Sequence, residues 1–260
     1  MTGLADIGVY VVNLRRRPDR RELIQRQLGR LPATYTSDWD GPFDGRAISR
    51  ESLERAGYRL FDWQIASTNP WWSRPLKYGE IGCALSHLAC WTDAASRPEP
   101  FTLVLEDDAI LCPDFTGRLL ARLDDARSRH GFGLLYLGRY PLEPDQPAGP
   151  GLVIPGYSHC TYGYLVTRHA LRALLAARLD QAIIPVDEFL PALYADHPRP
   201  DVGKRFPRRL TALACHPPLV RQMPKDKAGS DTDDSPFVEA GPRRATGQVA
   251  VTPDHPARSL

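Results

Sequence analysis

An α/β sandwich with a mostly parallel central sheet is the fold this sequence predicts, and three observations predict it. Short apolar runs recur along the chain, each ending on a polar residue and passing into a segment of helical spacing. Prolines and capping residues fall where those helices should begin. The 260 residues and 42% hydrophobic content suit one substantial core rather than two.

Residues 7–14, IGVYVVNL, read as a buried strand, and Pro18 then opens a helix in which Leu23, Ile24, Leu28 and Leu31 recur at helical spacing. A strand that starts such a sheet delivers its next loop to the carboxyl edge, where ligands bind. Ser49 caps a short helix, SRESLERAGY. The tryptophan-rich stretch 61–72 reads as an irregular loop with exposed aromatic potential, although Trp63, Trp71 and Trp72 more commonly go to the core. Residues 78–97 read as a helix carrying Ile81, Leu85, Leu88 and Trp91. FTLVLEDD (101–108) is a continuous apolar strand that stops on three acids. Pro113 opens the helix PDFTGRLLARLDDARSRH, FGLLYLG returns as a strand, and GYLVTRHALRALLAARL passes from strand to helix. PVDEFLPALYADH begins another helix and LTALACHPP is a last strand. Residues 1–223 are thus expected to form the main domain, with 224–260 a polar, Pro-rich and partly mobile tail.

Composition excludes several classes. A formal net charge of +2, with no basic run interleaved with aromatics, argues against a nucleic-acid binder. Only Lys77, Lys204, Lys225 and Lys227 are lysines among 33 basic residues; arginine suits bidentate phosphate recognition, but the codon bias of a GC-rich genome accounts for most of the excess. Neither G-x-G-x-x-G nor G-x-x-x-x-G-K-[ST] occurs, which disfavours dinucleotide redox and P-loop chemistry. No apolar run approaches the roughly 18 residues of a membrane span, and no signal-peptide pattern opens the chain. The five cysteines, without a C-x-x-C pair, read as reduced thiols in a cytoplasmic protein, and a structural zinc site is not expected.

Three constellations carry chemistry. Glu106, Asp107 and Asp108 end an apolar strand, where adjacent carboxylates repel unless a hard cation offsets the cost; a solvated strand-end turn, or a helix N-terminal acid cluster ahead of Pro113, is the competing reading. Asp187 and Glu188 open a helix, as general-base candidates or as carboxylates stabilised by exposed helix N–H groups. Gly79, Gly82, Ser86 and His87 lie in the first turns of the 78–97 helix, where small residues admit a ligand and N–H groups face an anion; His87 alone reads better as a core histidine.

In this order, VVNLRRRPDR (11–20), GEIGCALSHLACW (79–91), LVLEDDA (103–109), GYLVTRHALRALL (163–175), PVDEFL (185–190) and GSDTDDS (229–235) resemble family 25 glycosyltransferases. The resemblance covers nearly the whole chain. It implies a GT-A type (Rossmann-like) fold and an inverting transfer of a hexose, usually galactose from UDP-galactose with Mn²⁺ (or Mg²⁺). On it, Glu106 and Asp108 look like metal ligands and Asp187 or Glu188 like the base. Asn13, Arg16, Arg20, Gly79, Gly82, Ser86, His87, Asp107, Ser230 and Asp231 look like the donor pocket, with Ser230, Asp231 and Thr232 on a tail segment folded back over the donor. The acceptor implied is a glycan, a lipid-linked saccharide as in lipopolysaccharide biosynthesis, or a peptide, met in the cytoplasm or against the inner membrane. His216 is a third-ligand candidate by position only. A non-catalytic nucleotide-sugar or glycan-binding module is the alternative; a nucleotidyltransferase would want a Gly-rich phosphate loop that NLRRRPDR does not supply.

Overall fold

A computed structural model describes residues 2–129 and 131–239. In chain order its elements are β1 (Ile7–Val12), α1 (Pro18–Leu28), β2 (Thr34–Tyr35), α2 (Arg50–Arg55), α3 (Tyr78–Ala95), β3 (Phe101–Glu106), β4 (Ala109–Leu111), α4 (Phe115–Arg129) and β5 (Leu134–Pro141). There follow β6 (Gln146–Pro147), β7 (Leu152–Ile154), β8 (Ser158–Thr167), α5 (Arg168–Ala176), α6 (Val186–Ala192), α7 (Pro200–Arg205), β9 (Ala212–Cys215), β10 (Val220–Gln222) and α8 (Lys225–Ala228).

Eight strands form one sheet in the order β2-β1-β3-β8-β5-β9-β7-β6, and β10 pairs with β4 in a small ribbon above it. β1 is parallel to β2 and β3, and β5 to β9; β8 and β7 run against their neighbours. The expected α/β sandwich is therefore present, with most strands pointing one way. The reversed direction of β8 carried no sequence signal, since a strand buried on both faces reads the same in either direction.

Side chains that alternate along β1 and β3 feed two cores. Val9, Val11, Leu103 and Leu105 face α1 and α4, while Tyr10 and Val104 face α3, α5 and α6. Each fully buried Leu or Val contributes about 1.5–3 kcal/mol. α3 is apolar on most of its surface and is correspondingly enclosed, with Trp91 at 0% exposure. Its N-terminus is closed by Glu80, whose Oε2 accepts the Lys77 N–H at 2.7 Å while pairing with Arg74. Pro18 occupies the first turn of α1, and Ser49 Oγ accepts the Ser52 N–H at 3.2 Å to cap α2. Trp63 and Trp72 go to the core, and Trp71 is half-buried. These elements bring the carboxyl ends of β1 and β3 side by side beneath the start of α3.

Of the expected tail, residues 240–260 lie outside the described residues. Residues 229–238 run along the start of α3, where the Pro236 carbonyl accepts the Tyr78 N–H at 2.9 Å and Val238 N–H donates to the Leu76 carbonyl at 2.8 Å.

Candidate active site

A cleft of about 710 Å³, counted to its open mouth, lies between the ends of β1 and β3, the first turns of α3 and the segment 229–232. Asn13, Arg20, Gly79, Ser86, Glu106, Asp107, Asp108, Ser230, Asp231 and Thr232 all line it. β3 ends at Glu106, and the chain turns through Asp107 and Asp108 before β4. That turn is pinned to β1, because Asp107 N–H donates to the Val12 carbonyl at 3.1 Å.

The acids are held individually. Asp107 accepts from Asn13 Nδ2 at 2.7 Å and from Arg20 Nη1 at 3.0 Å. Asp108 accepts from Gln222 Nε2 at 3.1 Å on one oxygen, while its other oxygen, Oδ1, is buried with no hydrogen-bond partner among the described residues. Glu106 accepts from Thr161 Oγ1 at 2.7 Å. Burial first, then the charge of Asp107, pushes the Glu106 carboxyl up to about 7. Burial lifts Asp107 to about 6 against the pull of Arg20, and burial with the charge of Glu106 lifts Asp108 to about 6.

These raised values fix a stability-versus-pH slope. Unfolded carboxyls titrate near pH 4, so between about pH 4 and 7 the folded chain holds protons that the unfolded chain has released. The contribution of these three acids to stability without a cation is therefore greatest below that window and falls as pH rises through it. Mn²⁺ is expected to raise the melting temperature more at pH 7.5 than at pH 5.5; an equal rise at both, measured by calorimetry, contradicts a cation relieving these acids.

Asp231 reaches into the cleft from the other side. Its carboxylate pairs with Arg16, with Arg17 Nη1 at 2.6 Å and with Arg20 Nη1 at 3.5 Å. Arg16, expected in the pocket, does not line the cleft itself; it holds Asp231 and is also bound to Asp44 at 2.7 Å. Arg17, Gln222, Lys225 and Phe43 are site residues the sequence reading missed. Of these, Arg17 carried a signal as part of VVNLRRRPDR and Lys225 as one of four lysines.

Two expectations for α3 change. Gly79 and Gly82 admit the protein's own loops rather than leaving N–H groups open to an anion. The Gly79 N–H donates to Ser235 Oγ at 2.8 Å, and a Cβ on Gly82 would lie 2.2 Å from the Phe43 carbonyl oxygen. Alanine is the better helix former, but a backbone carbonyl cannot yield as a flexible side chain can. Gly82→Ala is thus expected to lower stability by about 1–3 kcal/mol in a urea titration. His87 does not line the cleft. It is fully buried, stacks on Tyr164 at a centroid distance of 5.7 Å, and its Nδ1 lies 2.8 Å from the Tyr164 hydroxyl. Burial holds its imidazole down at about 4. His216 is exposed and also stands apart from the cleft.

The acids of α6 have different surroundings. Asp187 is partly buried near Thr161 and Glu106, and burial followed by the charge of Glu106 raises its carboxyl to about 6. Glu188 is fully buried and surrounded by donors: Trp71 Nε1 at 2.7 Å, the Tyr157 hydroxyl, His197 Nε2 at 2.7 Å and His159 Nε2 at 3.3 Å. Burial opposes its charge, but hydrogen bonds from His159 and His197 outweigh it and hold the carboxyl well below its usual range.

Among the described residues no helix is long and apolar enough to cross a membrane, and all five cysteines are free. The profile of glycosyltransferase family 25 (LPS biosynthesis protein) matches residues 6–141. A glycosyltransferase 25 family member of Aedes aegypti is 33% identical over 241 residues, 89% of this chain and 39% of that protein. Procollagen galactosyltransferase 1-A of Xenopus laevis is 34% identical over 82% of this chain and 35% of its own length. The inactive glycosyltransferase 25 family member 3 of Homo sapiens is 33% identical over 87% of this chain and 39% of its own length. The chain thus spans less than half the length of these curated relatives. With the profile running from β1 through the acidic turn of β3 to the end of β5, the chain belongs to glycosyltransferase family 25.

Proposed function

We propose that the chain is an inverting hexosyltransferase that moves galactose from UDP-galactose to a hydroxyl of a glycan, lipid-linked saccharide or peptide acceptor. The observation that carries this reading is the convergence of Glu106, Asp108, Arg20 and Asn13 on one cleft, with Asp187 near Glu106. The free thiols suit the reducing cytoplasm, where we place the reaction, against the inner membrane when the acceptor is a lipid-linked saccharide.

The residues present fit a hard divalent cation, Mn²⁺ or Mg²⁺. The buried Asp108 Oδ1 lacks a partner among the described residues, and crowding of the carboxyls disfavours their charged forms. Glu106 and Asp108 are the ligands we assign; such an ion supplies positive charge against a departing diphosphate, an effect of several kcal/mol. Asp107 holds Arg20 and Asn13 in place. The arginines grouped around Asp231 favour an anion at that point of the cleft.

Transfer forms a bond between the acceptor oxygen and the anomeric carbon as the bond to the diphosphate breaks, and the acceptor's proton must leave. Asp187 is the group we assign to take it. A carboxyl raised to about 6 is mostly ionised at pH 7.5, yet holds a proton better than an ordinary aspartate. Glu188 is closed off by its donors and has no route to an acceptor.

Sequence identity does not separate transfer from mere binding, since relatives named galactosyltransferase and inactive match equally well. Incubation with UDP-galactose, Mn²⁺ and a saccharide acceptor is expected to release UDP and yield an inverted glycoside. Binding of UDP without turnover, across a panel of nucleotide sugars and acceptors, supports the non-catalytic module instead.

A further inference from the structure

Cys83 and His87 lie one turn apart on α3, and both turn toward the end of β3. The Cys83 Sγ, an imidazole nitrogen of His87 and a carboxylate oxygen of Glu106 all lie within 4.8 Å of one another. His87 Nε2 is buried without a hydrogen-bond partner among the described residues and stands 3.6 Å from Glu106 Oε1, beyond hydrogen-bond reach. A bare ring nitrogen in the interior has given up its water for nothing in return.

The surroundings orient these donors. The other ring nitrogen of His87 lies 2.8 Å from the Tyr164 hydroxyl, which also accepts from Trp91 Nε1 at 2.8 Å. A metal-bound histidine is ordinarily fixed in this way through its second nitrogen. Thr161 does the same for Glu106, donating to Oε1 at 2.7 Å. Cys83 lines the cleft, so a fourth position next to the three donors opens toward it.

We propose that Cys83, His87 and Glu106 form an open three-ligand site for a borderline-soft divalent cation, Zn²⁺ above all. A tetrahedral centre with bonds of about 2.0–2.3 Å needs donors about 3.3–3.8 Å apart, so the Cys83 and Glu106 side chains draw in by about 1 Å. The thiol gives up its proton to solvent as the sulfur binds. Sulfur and nitrogen donors favour Zn²⁺ over Mn²⁺, whereas the all-oxygen pair Glu106 and Asp108 suits the harder ion. Because Glu106 belongs to both sets, the two ions compete, and zinc withdraws a ligand from the hard site. Cys83 and His87 lie outside the hard-ion pair, so failure of their site leaves the transferase reading untouched.

Cobalt(II), titrated into the full chain without nucleotide, is the probe. At one equivalent it is expected to give sulfur-to-cobalt charge-transfer absorption and the visible bands of four-coordinate cobalt, both erased by one equivalent of Zn²⁺ and not by Mn²⁺. Cys83→Ser and Cys83→Ala are each expected to lose the charge-transfer band, and His87→Gln to lose stoichiometric binding. No thiolate band with the native chain, or a band that persists in folded Cys83→Ser, overturns the site.

Discussion

Asp187→Asn is expected to lower the rate of sugar transfer about 10²–10⁴-fold while the affinity for UDP and Mn²⁺ stays close to that of the native protein. Asparagine keeps the size of the side chain and its contact with Thr161, but it cannot take a proton. The neighbouring Glu106 also loses a competing negative charge, so folding should not suffer. The measurement is a pair: calorimetric titration of UDP with Mn²⁺, and steady-state transfer. Normal transfer removes Asp187 from proton abstraction. Loss of UDP–Mn²⁺ binding in step with activity would make it a cation ligand instead.

The second large effect belongs to Asp108. Asp108→Asn retains an acceptor for Gln222 but removes a charge from the cluster. Metal-dependent donor binding and turnover are expected to fall about 10³-fold, the equivalent of several kcal/mol of lost charge stabilisation. The same change should raise the melting temperature of the cation-free protein, because it relieves repulsion among buried carboxyls. Higher intrinsic stability together with a vanished response to Mn²⁺ is a signature that a merely disruptive substitution does not give. Full activity in this variant removes Asp108 from the cation site.

Much of the cleft was legible because its acids and Asn13 sit where apolar runs stop, and a run that stops abruptly marks the edge of a sheet. The α3 face was less legible. At about 100° per residue, Gly79, Cys83 and Ser86 fall within an arc of about 60°, with Gly82 and His87 on its two margins. Periodicity places all five on one broad side, but only packing decides that Gly82 meets the Phe43 loop and His87 meets Tyr164. Glu188 was illegible for another reason. Its partners come from positions 71, 72, 157, 159 and 197, and no local pattern announces that three separate segments will converge on one carboxylate. The reversed strand β8 likewise owes its direction to the excursion through β6 and β7, whose two or three residues each are too few for a period to show.

Asp231 sits where three guanidinium groups meet, and four residues further on Ser235 closes the start of α3. The stretch that reads as an appendage is therefore a wall of the pocket. A chain trimmed after residue 223 would keep every strand of the sheet, yet it would take from those arginines the carboxylate they share and from Gly79 the hydroxyl that accepts its N–H. Anyone shortening this protein to ease its crystallisation should cut beyond Glu239, not before Pro224.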